Sequence, residues 1–336
     1  MLLVCVALVS GCARKPAQEE YFQRSRTEML MGTFVQVKLY AKKTGSEKDA
    51  EKADRVIDEA FSLAEKLEKK FNIFDPESEV NRLNTSGEMV VSPELFDILK
   101  ESKKMSGITG GTFDVTVAPV LKKQGFYKDM PDAIRDSIPE AEAGAGWEDV
   151  VLIPGVNRVV LDSGAWVDLS AIAKGYIVDR MADLFRGKGY DIFLINAGGD
   201  IYCGKKKDSD WNIGLRKPGM DRVLLVLALK EKAVATSGDY ENWIMNEDTG
   251  EFFSHIIDPV RHMAMGKKFS SITVIAPTCA VADALATGMM AMDSNDSIIL
   301  ADSLKGVEVV SVISGDEGYE LDWSSGAEKY IVWRQR

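Results

Sequence analysis

The segment SITVIAPTCAVADALATGMMAM, residues 271–292, holds the two patterns from which the fold is read. Ser271–Ala276 has the length and the β-branched content of a strand. Pro277 interrupts it, and the run rich in Ala, Leu and Met that follows Thr278 reads as a helix. Within that helix Asp283 and Thr287 are four residues apart, so both point to one face. A carboxylate and a hydroxyl in an otherwise apolar helix need partners if they are buried. Two hard oxygens suit Mg²⁺ better than zinc or copper. A local side-chain hydrogen bond is the plainer alternative.

The same two signals recur on either side. Residues 191–196, DIFLIN, form a buried-strand pattern that runs into Ala197-Gly198-Gly199-Asp200. Before them, the strand-like RVVLDSGAWVDL of 158–169 leads to a helix from about 171 to 186, which Gly187 could terminate. Ser92-Pro93 opens a helix, with Ser as N-cap and Pro in the first turn. Residues 47–71 place Val56, Ile57, Ala60, Phe61, Ala64, Leu67 and Phe71 at helical spacing, with a charged opposite face. Residues 27–40 alternate at Val35, Val37 and Leu39 and read as a strand. LLVLALK at 224–230 is another β-rich run, and the last 30 residues read as antiparallel strands. There is no regular βαβ rhythm and no internal repeat. The expected fold is therefore α+β, with mixed, largely antiparallel sheets, packed helices and one compact unit.

Composition narrows the function. The 336 residues carry 41 Lys and Arg against 52 Asp and Glu, a net charge of −11. Such a balance argues against nucleic-acid binding, which needs clustered cations. With 46% hydrophobic and 28% charged residues the chain is globular. Two histidines, His255 and His262, exclude a multi-histidine zinc site. Two of the four cysteines, Cys5 and Cys12, fall in the first 12 residues, so no disulfide framework or Cys-x-x-Cys metal site is expected.

The N-terminus reads as an address. The apolar run 2–9 is too short to span a bilayer but has the length of a signal-peptide core. Val9-Ser10-Gly11-Cys12 resembles a bacterial lipobox, although no Lys or Arg precedes the run. The expectation is a lipoprotein signal peptide over 1–11, lipidation at Cys12, a polar tether over 12–26 and one folded body over 27–336. An ordinary signal peptide with a chance cysteine is the alternative. Lipidation would anchor the protein to a membrane.

Several local motifs are ambiguous alone. Gly199-x-x-x-x-Gly204-Lys205-Lys206 nearly spells a P-loop, but Lys206 replaces the Ser or Thr that would hold Mg²⁺, and no helix opening follows. His255, in Ser-His-Ile-Ile-Asp-Pro, could be a general base or a structural hydrogen-bonder. Thr109-Gly110-Gly111-Thr112-Phe113-Asp114 and Asn196–Asp200 are glycine pairs beside an acid, where the backbone can approach a ligand.

Taken in order along the chain, these segments resemble one family, the FAD:protein FMN transferases, or ApbE-like flavin transferases. The matching stretches are Met31-Gly32-Thr33, Phe74-Asp75-Pro76 with Ser78-Glu79 and Asn84, and Gly110–Thr116. Asp168–Tyr176 with Asp179, Asn196–Asp200, Ala235–Tyr240, His255–Pro259 and Ala282–Thr287 complete the series. The resemblance implies an α+β fold of the ApbE-like type and Mg²⁺-dependent chemistry on FAD as substrate. In that chemistry a Thr or Ser hydroxyl of an acceptor flavoprotein subunit attacks the FMN-side phosphorus and AMP leaves. It implies that Asp283 and Thr287, with the main-chain carbonyl of Ala171, hold Mg²⁺. It also implies that Met31, Phe74, Thr112, Phe113, Asp114, Asp168, Lys174 and Ile257 line the FAD site. His255 would then be the base, oriented by Asp258 or Asp283. With the lipobox, the resemblance also implies a place on the periplasmic or outer-surface side of a bacterial membrane. The chain departs from the family pattern at Val260-Arg261-His262, which leaves His262 without a role. Two alternatives stand beside this reading: an FAD pyrophosphatase that uses water as acceptor, and a non-enzymatic flavin-binding lipoprotein.

Overall fold

All six residues of Ser271–Ala276 are buried, because the sheet around them is covered on both faces. The computed structural model describes residues 19–140, 146–206, 209–216, 222–238, 243–245, 252–254, 257–259, 263–264, 271–315 and 318–335. Cys12 and the signal segment lie outside the described residues, as do His255 and His262. Among the described residues no helix is long and apolar enough to cross a membrane.

The central sheet has eight strands, ordered Tyr21–Leu30, Thr33–Lys42, Phe193–Ala197, Asp200–Cys203, Lys232–Gly238, Ser271–Ala276, Glu308–Gly315 and Gly318–Trp323. Each neighbouring pair is antiparallel. Alternate residues feed two different cores. Ala233, Ala235, Ile272, Val274 and Ala276 face the helices Asp49–Phe71, Ala173–Gly187 and Cys279–Met290. Val234, Ile275 and Val310 face a second sheet of Ile331–Arg334, Val223–Leu229 and Trp211–Arg216. Burial on both sides explains why the central strands read as continuous apolar runs although the sheet is antiparallel. A third sheet, of Glu88–Val90, Arg158–Leu161 and Val150–Ile153, lies beside the helical layer. A smaller apolar cluster forms around Leu121, Tyr127, Trp166 and Ile257.

The α+β reading holds, and three local readings are corrected. Residues 27–40 form two strands, not one. Met31 (φ 54°) and Gly32 (φ 68°) make a left-handed two-residue turn between Leu30 and Thr33. The first strand begins at Tyr21, so residues 21–26, expected in the tether, are paired in the sheet. Its polar residues hid it: Arg24 and Arg26 pair with Asp54 and Asp58 of the first helix, which charges the sheet edge. The helix expected over 171–186 spans Ala173–Gly187. Gly189 (φ 84°), not Gly187, takes the left-handed position behind it. The glycine pair Gly198-Gly199, the start of the P-loop-like string, is the tight turn of the hairpin Phe193–Ala197/Asp200–Cys203.

Candidate active site

The site forms where two helices begin and end against the sheet. Thr278 caps Cys279–Met290 through its side chain. Ten of that helix's 12 residues are buried, which is why it is built from Ala, Gly and Met. Gly175 lets the helix Ala173–Gly187 touch it: a Cβ there would lie 2.4 Å from the Cys279 carbonyl oxygen. Three long-range bonds lock the contact. The buried Asp179 carboxylate accepts the Cys279 and Ala280 N–H groups at 2.7 and 2.9 Å. The Gly175 N–H donates to Asp283 Oδ2 at 3.0 Å. Burial pushes the Asp179 carboxyl up to about 6, against the pull of those two amides.

A cavity of about 300 Å³ opens beside this junction. Its walls include Thr112, Asp114, Asp168, Ala171, Lys174, Ile257, Asp283 and Thr287, eight of the residues expected at the site. Asp283 and Thr287 present one helix face to it. The Thr287 hydroxyl lies 3.3 Å from Ser237 Oγ, so the local Asp283–Thr287 bond considered above is not what holds them. The Ala171 carbonyl, in the turn before the helix, meets no donor among the described contacts.

The remaining expected residues sit elsewhere. Phe113 is 1% exposed in the main core, where its Cβ abuts Gly288; it supports the wall from behind. Phe74 is 39% exposed and packs edge-on against Tyr127. Met31 sits in the hairpin turn, its N–H donating to Glu68 at 2.8 Å.

Three carboxylates are fastened by the chain itself, Asp114 and Asp168 in the cavity wall and Asp200 behind Lys174. Asp114 accepts the Thr116 N–H and hydroxyl, both at 2.7 Å, and the Trp147 N–H at 3.1 Å. Asp168 accepts the Tyr127 hydroxyl at 2.5 Å and the Ser170 N–H and hydroxyl. Asp200, buried at the start of its strand, accepts Lys174 Nζ at 2.5 Å. Lys174 also stands 3.6 Å from Asp283 Oδ1. Burial raises the Asp283 carboxyl above its usual range, with Asp200 adding to the shift and Lys174 opposing it. Burial would lower Lys174, but Asp200 and Asp283 outweigh it and hold the ammonium well above its usual range. Asp200 and Tyr127 carry none of the site roles the sequence suggested. A carboxylate inside the wholly buried strand Asp200–Cys203 is the signal that marks Asp200, since it must have a partner.

No group of three or more His, Cys, Asp or Glu side chains able to hold a metal occurs among the described residues. Asp283, Thr287 and the Ala171 carbonyl supply one carboxylate, one hydroxyl and one free carbonyl. That is a sparse, hard set, which can hold a cation that keeps water or ligand phosphates as its other partners. The same cavity is lined by Leu121 and Ile257 of the smaller apolar cluster. Fold and site thus define an α+β protein whose cavity joins an apolar wall to a lysine–carboxylate cluster.

The ApbE family pattern matches residues 31–311. The chain is 30% identical over 344 aligned residues to the FAD:protein FMN transferase of Vibrio cholerae serotype O1, covering 98% of this chain and 97% of the relative. Its fold is similar to the flavin transferase ApbE from Vibrio cholerae, at TM-score 0.75 and 28% identity over 93% of this chain and 100% of that one. It is likewise similar to the ApbE protein from Thermotoga maritima, at TM-score 0.76 and 26% identity over 93% and 99%. This chain belongs to the ApbE family.

Proposed function

We propose that this protein transfers FMN from FAD to a Thr or Ser hydroxyl of an acceptor flavoprotein and releases AMP. The observation that carries the reading is the meeting of Asp283, Thr287, Lys174 and the Ala171 carbonyl in one cavity. In this reading the flavin ring lies against the apolar wall of Val117, Leu121, Phe126 and Ile257, and the pyrophosphate faces the two helices. Asp283, Thr287 and the Ala171 carbonyl would hold Mg²⁺. When bound, Mg²⁺ supplies charge neutralisation at the phosphates.

The chain's own residues do the rest. Lys174 offers its ammonium to the phosphates from a fixed position, because Asp200 holds it. The Gly175 N–H holds Asp283 Oδ2, which leaves Oδ1 toward the cavity. Asp168 and Asp114 hold the two loops that carry the cavity walls. His255, two residues before the cavity residue Ile257, is the proposed base. It takes the proton of the acceptor hydroxyl as that oxygen bonds the FMN-side phosphorus and the bond to the AMP oxygen breaks. The anchor belongs to the same proposal: acylation at Cys12 would hold the enzyme on the outer side of a bacterial membrane.

Intact mass spectrometry of an acceptor flavoprotein incubated with the protein, FAD and Mg²⁺ tests the activity. The expected result is a covalent FMN adduct with one AMP released per adduct. AMP release at an equal rate without acceptor, and no adduct with it, would make the protein a pyrophosphatase instead.

A further inference from the structure

Lys174 is the second residue of the helix Ala173–Gly187. A cation in the first turn is opposed by the helix dipole, so something else must hold it there. Asp200 does so at 2.5 Å, and Asp283 Oδ1 lies 3.6 Å away on the other side. Asp200 is itself fixed, at 3% exposure, directly after the tight turn Gly198-Gly199. That turn is pinned by the bond from the Gly199 N–H to Asn196 Oδ1 at 2.9 Å. The ammonium is therefore tethered beside the one carboxylate proposed as a metal ligand, and 36% of the Lys174 side chain remains exposed.

We propose that the Asp200–Lys174 pair is a built-in counter-ion that makes divalent-metal binding and dinucleotide binding depend on each other. The proposal rests on the metal and FAD reading of this cavity given above. In the absence of FAD, a metal at Asp283 faces a fixed positive charge a few ångströms away, so the metal alone is disfavoured. The pyrophosphate brings the negative charge that lets both cations stand side by side. The protein then loads metal and dinucleotide together. Asp200 acts here as a positioning residue: it touches neither ligand, and it decides where the ammonium sits.

Mn²⁺ binding to the purified protein, followed by the loss of the free-ion EPR signal with and without FAD, tests this. Wild type is expected to bind Mn²⁺ weakly alone and about 100-fold more tightly with saturating FAD, and FAD affinity must rise by the same factor with Mn²⁺. Lys174→Met should tighten Mn²⁺ binding in the absence of FAD by about tenfold or more, and weaken FAD binding in the presence of Mn²⁺. Asp200→Asn should do the opposite to Mn²⁺ alone, because Lys174 then turns wholly to Asp283. An ion pair that only supports the fold predicts that both variants weaken both ligands in step with melting temperature. Unchanged or weaker Mn²⁺ binding by a folded Lys174→Met variant would overturn the proposal. Should that variant not fold, the wild-type cycle decides alone: Mn²⁺ and FAD that bind without enhancing each other refute the counter-ion role and leave the site reading standing. If wild type binds no Mn²⁺ even with FAD, the site reading falls, and this inference with it.

Discussion

Gly175→Ala probes the junction on which the whole site is built. The added Cβ would meet the Cys279 carbonyl oxygen at 2.4 Å, its carbon at 2.7 Å and the Ala280 Cα at 2.9 Å. All three are backbone atoms at the start of a helix buried nearly all round, so no side chain can swing away. To restore ordinary contact the helices must part by about 1 Å. That carries the 3.0 Å bond from the Gly175 N–H to Asp283 beyond hydrogen-bond length, and it loosens the two amides capped by Asp179. Overpacking is worth about 1–3 kcal/mol, and losing a bond to a charged group about 1.5–3. The better helix propensity of Ala returns about 1 kcal/mol. The net loss is about 2–5 kcal/mol, or roughly a 3–7 °C drop in Tm for a chain of this size. Gly187→Ala is the control on the same helix: nothing lies within 4 Å of its Cβ position, so it should be neutral or slightly stabilising. Thermal melts by circular dichroism, with FMN transfer measured on the same preparations, read both effects. A Gly175→Ala protein that melts and transfers like wild type would show that the two helices are not locked here, and the reasoning would fail.

Asp283→Ala should lower FMN transfer roughly 10²–10³-fold through lost charge stabilisation, far more than the modest drop in Tm from losing the Gly175 N–H bond accounts for; a folded and fully active variant would exclude the ligand role. His255→Ala should slow transfer roughly 10²–10⁴-fold with FAD affinity unchanged, and His262→Ala should be mild; a pH–rate profile of the three proteins checks which histidine carries the proton. For Asp179, the folded carboxyl at about 6 stands above its reference value of 3.8, so the folded state binds the proton more tightly than the unfolded chain. Its contribution to stability is present below about pH 4 and lost as pH rises through 6, up to about 3 kcal/mol. Urea unfolding from pH 4 to 7 should show wild type losing that much relative to Asp179→Asn, and a constant gap would refute it.

The elements that announced themselves have a local cause. Ser92 and Thr278 cap the helices they precede, and the stripe from Val56 to Phe71 lies on the buried face of the first helix. Asp283 and Thr287 share a cavity because four residues is one helical turn. What stayed hidden depends on partners far along the chain. Asp179 caps a helix 100 residues on, Tyr127 reaches Asp168 across 41, and Ile331–Arg334 pairs with Val223–Leu229. No local periodicity encodes such pairings. The edge strand from Tyr21 hid for the opposite reason, since its alternation is charged rather than apolar.

An acidic chain that handles a pyrophosphate must keep its own carboxylates from repelling the ligand, and this cavity shows how. Four carboxylates bear on it, from Asp114, Asp168, Asp200 and Asp283. A carboxylate has about four acceptor positions. Asp114 and Asp168 each spend three of theirs on donors from their own loops, so their charge is turned into loop structure. Asp200 is neutralised by Lys174. Asp283 differs: one oxygen is held by the Gly175 N–H, and the other has Lys174 no nearer than 3.6 Å. The choice of metal ligand is thus made by subtraction: loop hydrogen bonds take up Asp114 and Asp168, the ion pair with Lys174 takes up Asp200, and Asp283 is left. The same subtraction predicts where the site is fragile: Tyr127→Phe would free an Asp168 oxygen and add an anionic acceptor to the cavity, so it should weaken FAD binding, although the lost hydroxyl touches no ligand.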